Sequence, residues 1–257
     1  MSTTPIEEEK KKQNWKFVQL KKRDIRLFKT IVCQKFMRRD HVIKYIFDGD
    51  ASYAEIRIRK LKMFKYLRAV KKEEQPESYL LGPEGVAAIN EWYAKGFEGE
   101  PMPEPQSFIE AVTYEHDGNV TETKFIFEGL GLCGDWKSEK EMRLGTQGER
   151  KVPDGFFTRF GKGIAVEVEW SRKDNRSYRR IFKLYEDDRK IDFVFYLCKD
   201  ETILSTIIQL SKKAADSGEI HRVKFFCALF SELAADPRKV VFKSYEGEFK
   251  LEDLLIP

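Results

Sequence analysis

Three acidic residues stand in a stretch that otherwise predicts a β-hairpin. Residues 152–170 read VPDGFFTRFGKGIAVEVEW, with Asp154 ahead of the first apolar run and Glu167 and Glu169 inside the second. Successive side chains of a strand point to opposite faces, so both glutamates share a face with Ala165. The other face carries Ile164, Val166, Val168 and Trp170. Two interpretations are open: the glutamates face water at a surface, or they converge with Asp154 to hold a metal ion.

The spacing of the acids favours the metal site. A glycine turn at 161–163 reverses the chain, which brings Asp154 within reach of the glutamate pair. Mg²⁺ takes hard oxygen ligands, usually carboxylates together with water and phosphate oxygens, and Mn²⁺ is the alternative ion. Three like charges that face one another repel, which makes an accidental cluster less favourable. The segment therefore predicts a divalent-cation site.

The elements around this hairpin predict an α/β domain. From residue 107 onward, periodicity predicts helices and strands in the order helix, hairpin, helix, strand, helix, strand, the later ones at about 175–187, 191–198, 201–216 and 221–230. Such an order is typical of a mixed sheet with helices on both faces. The three acids would then lie on two neighbouring strands of one sheet.

The first part of the chain is strongly basic. Residues 21–72 contain 17 Lys and Arg against 5 Asp and Glu, whereas the whole chain has a net charge of only +4. Helical periodicity begins at Lys22, a second helix has Asp40 as its N-cap, and Ser52 to Glu55 has the form of a capping box for a third. Paired strands at 66–70 and 78–81 and a helix from Pro83 to about Lys95 follow. This order predicts a winged helix-turn-helix.

Double-stranded DNA is the partner that this arrangement favours. In a winged helix the third helix enters the major groove and the wing approaches the phosphates. The candidate groove contacts are Tyr53, Arg57, Arg59 and Lys60, and the candidate phosphate contacts are Lys62, Lys65, Lys71 and Lys72. A winged domain used for protein pairing is the alternative, but the basic excess argues for DNA because phosphate neutralisation supplies much of nonspecific affinity.

The remaining features of the sequence indicate how the chain is divided into domains and where the protein works. Residues 97–106, FEGEPMPEPQ, are typical of a linker, and residues 1–20 of a charged tail, which leaves domains at 21–96 and 107–257. The absence of a signal sequence, of a membrane-spanning apolar run and of paired cysteine spacings predicts a cytoplasmic protein without membrane contact.

Several catalytic classes are disfavoured by missing motifs. The three histidines form no H-x-H pair and no H-E-x-x-H motif, which argues against a histidine-cluster relaxase and a zincin. No G-x-x-x-x-G-K-[ST] sequence occurs, which argues against a P-loop ATPase and leaves no expected nucleotide cofactor.

One resemblance is carried by the acids themselves. Pro153-Asp154 followed by Glu167-Val168-Glu169 resembles the PD-(D/E)xK motif of restriction-endonuclease-like nucleases, with Glu169 where most members have lysine. The whole arrangement is similar to the replication-relaxation family of bacterial and plasmid proteins, which joins a winged helix to a diverged nuclease-like domain. The resembling segments span about residues 25–200 and are RIRKLKMFKYLR, YLLGPEG, YEHD, WKSE, VPDG, VEVEW and KLY.

The resemblance implies roles for individual residues. Asp154, Glu167 and Glu169 would ligate Mg²⁺, with the Val168 carbonyl as a further ligand. Lys183, or alternatively Arg180, would replace the missing motif lysine and balance charge on the phosphate, and Glu139 would bind a second ion. The family implies a Mg²⁺-dependent endonuclease or nickase that acts in plasmid replication or mobilisation. The alternative is a non-catalytic DNA-binding regulator of replication or transcription, in which the nuclease-like domain serves dimerisation or partner binding.

Overall fold

The computed structural model describes residues 18–71, 73–96, 101–144 and 151–251. Contacts divide the chain into two compact units, Met1–Ile109 and Glu110–Pro257. The expected tail 1–20 falls mostly outside the described residues, and the expected linker 97–106 falls partly outside them. Among the described residues, no helix has the length and apolarity needed to cross a membrane.

The first unit combines helices with a small antiparallel sheet. Its elements are α1 (Lys22–Cys33), β1 (Met37–Arg38), α2 (Arg39–His41) continued by a π-helical turn (Val42–Ile46), α3 (Ala51–Met63), β2 (Leu67–Val70), β3 (Ser78–Leu81) and α4 (Pro83–Gly96). The sheet has the order β1-β3-β2. Helix α1 forms because apolar residues recur at helical spacing, and it buries Leu27, Phe28, Ile31 and Val32.

Two helix starts in this unit differ from the sequence prediction. The N-cap of α3 is Asp50, whose carboxylate accepts a hydrogen bond from the Tyr53 amide at 3.0 Å, so the predicted Ser52 capping box is wrong. A carboxylate at this position satisfies a free amide and also interacts favourably with the helix dipole. Asp40 lies inside the first turn of α2, and the N-cap there is Arg38.

The second unit is built on a seven-stranded mixed sheet. Its elements are α5 (Tyr114–Gly129), β4 (Lys137–Ser138), α6 (Glu139–Leu144), β5 (Gly155–Arg159), β6 (Lys162–Glu169), α7 (Asn175–Asp187), β7 (Phe193–Cys198), α8 (Glu201–Asp216), β8 (Lys224–Leu229), α9 (Phe230–Ala235), β9 (Val241–Ser244) and β10 (Gly247–Lys250). The strand order is β10-β9-β8-β7-β6-β5-β4. Strands β6, β7 and β8 are parallel, and the other pairs are antiparallel. The expected mixed sheet with flanking helices is thereby confirmed.

The β5–β6 hairpin closes more tightly than the glycine pattern predicts. Arg159 pairs with Lys162 across a two-residue turn, in which Phe160 and Gly161 have φ angles of 49° and 74°. This pair of positive φ angles suits the right-handed twist of the flanking strands. At the other end, the last pair is Gly155 with Val166. Asp154 therefore comes opposite Glu167, one step beyond the ladder.

Both faces of β6 are covered by helices and their apolar side chains. Ile164, Val166 and Val168 belong to a core that includes Phe127 of α5 and Leu233 of α9. Ala165 belongs to the opposite core, which contains Tyr178, Phe182 and Tyr185 of α7 and Ile203, Leu204 and Ile207 of α8. The period-two alternation predicted for this strand is therefore confirmed.

Candidate active site

The two glutamates of β6 are buried rather than solvated. Glu167 is 5 % exposed and Glu169 is 3 % exposed, so the interpretation in which they face water is wrong. They occupy the face of β6 that α7 and α8 cover. Removing an ionised carboxylate from water is costly unless it is paired and hydrogen-bonded. The partners of these two side chains therefore decide what the site can do.

Glu167 is held by a lysine and a tyrosine. The Nζ atom of Lys151 lies 2.7 Å from Glu167 Oε1 and donates a hydrogen bond to Oε2 at 2.9 Å. The hydroxyl of Tyr185, on α7, donates to Oε1. Burial raises the pKa of Glu167 above its ordinary value, and the nearby charge of Lys151 offsets only part of this effect.

Glu169 pairs with a second lysine. Lys173, four residues later in the segment that leads into α7, donates its ammonium protons to both carboxylate oxygens. Burial nevertheless raises the pKa of Glu169, because its desolvation outweighs the hydrogen bond and charge of Lys173.

Asp154 lies where β5 and β6 separate. Its Oδ2 atom accepts a hydrogen bond from the Val168 amide at 2.8 Å and lies 3.1 Å from His116 Nε2. Burial alone would raise the pKa of Asp154. The hydrogen bond and charge of His116, the charge of Lys151 and the Val168 amide together hold that pKa below its ordinary value.

His116 connects Asp154 to a second carboxylate. Its Nδ1 atom lies 3.2 Å from Asp117 Oδ1, and the other oxygen of Asp117 accepts a hydrogen bond from the Thr113 hydroxyl at 2.7 Å. His116 and Asp117 belong to the first turn of α5, and Thr113 is its N-cap. Burial lowers the pKa of His116, but the hydrogen bonds to Asp117 and Asp154 outweigh burial and raise this pKa to about 10.

A tyrosine hydroxyl beside the glutamates has no hydrogen-bond partner among the described residues. Tyr196, on β7, is in register with Glu167 on β6. In the described part of the chain its buried hydroxyl has no hydrogen-bond partner. Burial, followed by the charges of Glu167 and Glu169, raises the pKa of Tyr196 well above its ordinary value. A buried polar atom left in this way points to a missing water, ion or ligand.

The donor set fits a hard divalent cation in its chemistry. Asp154, Glu167 and Glu169 offer carboxylate oxygens, and the Tyr196 hydroxyl, which no described residue contacts by a hydrogen bond, lies beside them. Within residues 18–71, 73–96, 101–144 and 151–251, no three metal-ligating side chains are gathered closely enough to bind an ion. Lys151 and Lys173 now engage the glutamate oxygens. A cation therefore has to displace these two ammonium groups.

The other two expected catalytic residues are placed differently. Lys183 is exposed on α7, whose buried face is formed by Tyr178, Phe182 and Tyr185. The residue of α7 that contacts Glu167 is therefore Tyr185. The Glu139 amide donates to the Asp154 carbonyl at 3.3 Å, so its backbone adjoins the site, but its carboxylate accepts from Arg143 at 2.6 Å.

Sequence reasoning missed the cations of the site. Lys151, Lys173 and His116 contact the three acids, and of these only His116 lies in a quoted segment, YEHD, where no role was predicted for it. A weak signal existed for two of them, because Lys151 precedes Asp154 by three residues and Lys173 follows Glu169 by four. The start of α5 and the segments that flank β5 and β6 bring the three cations together in the folded unit.

In the first unit, one expected DNA contact is a structural residue. The Arg57 guanidinium donates to both carboxylate oxygens of Asp24 and to the Gln19 carbonyl. Asp24 is 1 % exposed, so it requires this counter-charge, and the Arg57 guanidinium is engaged inside the unit rather than held out for the predicted groove contact. The hydrogen bonds that Arg57 donates to Asp24 are the main cause that raises the pKa of Arg57.

The remaining basic candidates divide by exposure. Tyr53, Arg59, Lys65 and Lys71 are exposed, and Lys60 is half-buried. Lys62 donates to Glu77 at 2.8 Å. Lys72 lies outside the described residues.

Comparison with protein-family models finds no match for this chain, and comparison with curated proteins finds none either. The functional argument therefore depends on the residues and their geometry.

Proposed function

We propose that this chain is a DNA-binding protein whose second unit is a metal-dependent DNA endonuclease or nickase of the PD-(D/E)xK type. The observation that carries the proposal is the burial of Glu167 and Glu169 on one face of β6, with Asp154 at the open end of the same hairpin. Buried carboxylates are costly unless a cation pairs with them, and a metal ion would take the place that Lys151 and Lys173 now hold. The resemblance to the replication-relaxation family supports a place in plasmid replication or mobilisation.

The metal would be held by Asp154, Glu167 and Glu169. When bound, Mg²⁺ or Mn²⁺ supplies positive charge beside the scissile phosphate and favours deprotonation of the attacking water. Lys151 is the chain's own candidate for the missing motif lysine in place of Lys183, because its ammonium already lies at Glu167. Once released from Glu167, Lys151 would stabilise negative charge on the phosphate.

The first unit supports DNA binding through a winged-helix arrangement. The helices α1, α2 and α3 are followed by the β2–β3 hairpin, with β1 added to the sheet. Tyr53 and Arg59 are exposed on α3, Lys65 lies just after it, and Lys71 follows β2. In such an arrangement α3 enters the major groove and the hairpin approaches the phosphates.

One observation favours the non-catalytic alternative. Lys151 and Lys173 satisfy Glu167 and Glu169 without a metal, so the site is electrostatically balanced as it stands. A regulator that binds DNA and does not cut it would keep these ion pairs intact.

Cleavage of supercoiled plasmid separates the two proposals. We expect nicking that needs Mg²⁺ or Mn²⁺ and that falls by about 100-fold or more in Glu167→Gln, because transition-state stabilisation by a preorganised site is lost. Glu201→Gln, at an exposed glutamate of α8, is the matched control and keeps full activity. Equal nicking by Glu167→Gln would contradict the nuclease. DNA binding by the wild type without cleavage of any plasmid would support the regulator.

A further inference from the structure

The open face of α3 is partly apolar. Three of its side chains, Tyr53, Ile56 and Met63, are 45 %, 55 % and 51 % exposed. Their spacings of three and seven residues place them on one side of a helix that has 3.6 residues per turn. The buried residues of α3, which include Ala54 and Ile58, occupy the opposite side. The helix therefore presents an apolar stripe, defined by Tyr53, Ile56 and Met63, away from the core of its unit.

The surroundings of this apolar stripe are basic. Arg59 is exposed along its edge, and Lys60 is half-buried on the same side of the helix. The one acidic residue of α3, Glu55, is paired with Arg39, so its charge is compensated. Residues 21–72 contain 17 Lys and Arg against 5 Asp and Glu. The charge of this region therefore suits a partner that carries strong negative charge and also exposes apolar groups.

Duplex DNA is a partner of this kind. Its phosphates supply the negative charge, and its major groove exposes the C5-methyl group of each thymine. An isoleucine that contacts this methyl group removes apolar surface from water. Cytosine lacks the methyl group, so the contact distinguishes thymine from the other pyrimidine of DNA.

Pairing of the stripe with a second copy of the chain is disfavoured by charge. A two-fold interface brings the same patch of both subunits together, so the cations beside the stripe would face their own copies. Like charges that meet across an interface repel. The basic surroundings therefore favour DNA as the occupant of this face.

We propose that Ile56 contacts the C5-methyl group of a thymine in the major groove, so that the DNA site recognised by the first unit contains a required T·A pair. Ile56 is the most exposed residue of the stripe and lies between its other two members. Tyr53 packs against the Phe47 ring, with centroids 5.7 Å apart, and the Arg23 guanidinium lies 5.5 Å from its ring, whereas Met63 is the last residue of α3. This inference deepens the proposed DNA binding and rests on it.

Selection from a pool of duplexes with a random central segment identifies the bound sequence. The full-length wild type is compared with Ile56→Ala and with Val112→Ala, which alters an exposed apolar residue of the second unit. We expect the wild type and Val112→Ala to select a sequence with a position restricted to thymine, and Ile56→Ala to accept other bases there. Because Ile56 is exposed, its replacement should leave the melting temperature unchanged.

Replacement of thymine by uracil isolates the methyl group. The selected duplex is prepared with thymidine or with deoxyuridine at each restricted position in turn, which changes one methyl group and keeps the base pair. At one such position the wild type and Val112→Ala should bind the uracil duplex about 4-fold more weakly, because burial of one methyl group contributes roughly this factor. Ile56→Ala should bind both duplexes equally.

The outcomes for Ile56 and for DNA binding can be told apart. Equal binding of the thymine and uracil duplexes by the wild type, or a preference that persists in Ile56→Ala, would overturn the inference and leave DNA binding in place. A wild-type dimer that Ile56→Ala dissociates in sedimentation, with the selected sequence unchanged, would assign the stripe to protein pairing. Failure of the wild type to select any duplex would remove the DNA-binding proposal and this inference together.

Discussion

The Val168 amide donates a hydrogen bond of 2.8 Å to Asp154 Oδ2, across the point where β5 and β6 separate. The strand that carries both glutamates thereby also fixes the third acid. Because the hydrogen bond uses a backbone donor, it does not depend on side-chain rotamers of β6. The relative position of Asp154 and β6 is set by the hairpin itself.

Arg57 and Arg59 of α3 are expected to have opposite phenotypes. Arg57→Ala leaves the buried Asp24 without its counter-charge, and breaking a buried pair in this way costs about 3–5 kcal/mol of unfolding free energy. Arg59→Ala, at an exposed position, changes stability by less than about 0.5 kcal/mol. Urea unfolding measures both effects.

DNA binding distinguishes the same two variants. Arg59→Ala is expected to weaken binding to duplex DNA by about 1–3 kcal/mol if it contacts a base edge in the major groove. Unchanged affinity of Arg59→Ala would remove α3 from the proposed interface, and a fully stable Arg57→Ala would contradict the ion-pair assignment.

Lys151 and a metal ion are expected to compete for Glu167. Lys151→Met leaves a buried carboxylate unpaired and lowers the unfolding free energy by about 3 kcal/mol in metal-free buffer. Added Mn²⁺ should then raise the melting temperature of the variant more than that of the wild type, because the ion no longer displaces an ammonium group. Lys190→Met, at an exposed lysine, is the control. Equal metal-induced shifts in all three proteins would show that Lys151 does not occupy the metal position.

Removing the hydroxyl should affect protein stability differently at the two tyrosines beside Glu167. Tyr185→Phe removes a hydrogen bond to a buried carboxylate and should cost about 1.5–3 kcal/mol. Tyr196→Phe removes a hydroxyl that has no partner in the described residues, so stability should be unchanged or higher. Chemical denaturation of the two variants tests this, and a Tyr196→Phe variant as unstable as Tyr185→Phe would contradict it.

The stability of the second unit should fall in acid partly through Glu186. Its carboxylate accepts hydrogen bonds from the Arg222 and Val223 amides at 2.9 Å each. Burial alone raises the pKa of Glu186, but these amide hydrogen bonds outweigh it and lower the pKa. Because the folded-state pKa is lowered, ionised Glu186 stabilises the folded unit above the ordinary glutamate pKa of about 4.3. This stabilisation is lost as pH falls through the folded-state pKa.

Glu186→Gln should therefore make the unfolding free energy depend less on pH. Between pH 7 and pH 3 the wild type should lose about 1 kcal/mol more unfolding free energy than the variant, an amount kept small by solvent screening. Urea unfolding at the two pH values measures this difference, with Glu219→Gln, at an exposed glutamate, as the control. Identical pH slopes for the wild type and Glu186→Gln would remove Glu186 as the source.

Sequence alone predicted the faces of β6 but not the partners of its acids. Period-two alternation over residues 164–170 is a local property, so it correctly placed Glu167 and Glu169 together. Lys151 and His116 reach the site because separate elements end at the same place, which no local pattern encodes. The β9–β10 hairpin was missed because its short strands are mostly polar or half-buried.

Of the two residues that the structure places differently from the prediction, only Lys183 had a readable signal in the sequence. Tyr178, Phe182 and Tyr185 are spaced as one face of α7, so Lys183 had to lie outside it. Arg57 was predicted to be a groove contact. Its actual partner, the buried Asp24, lies on another helix, and the pattern of α3 alone gives no sign of that contact. The missing information in that case was tertiary.

The parallel pairing of β6, β7 and β8 also has a consequence for how the protein folds. Each parallel neighbour is reached only after a helical crossover, through α7 and then α8, so the pairing is non-local and closes slowly. Tyr196 comes beside Glu167 only when β7 docks. A nascent chain that ends before β7 thus carries all three acids but lacks the neighbouring strand that completes their surroundings, so this part of the unit matures late.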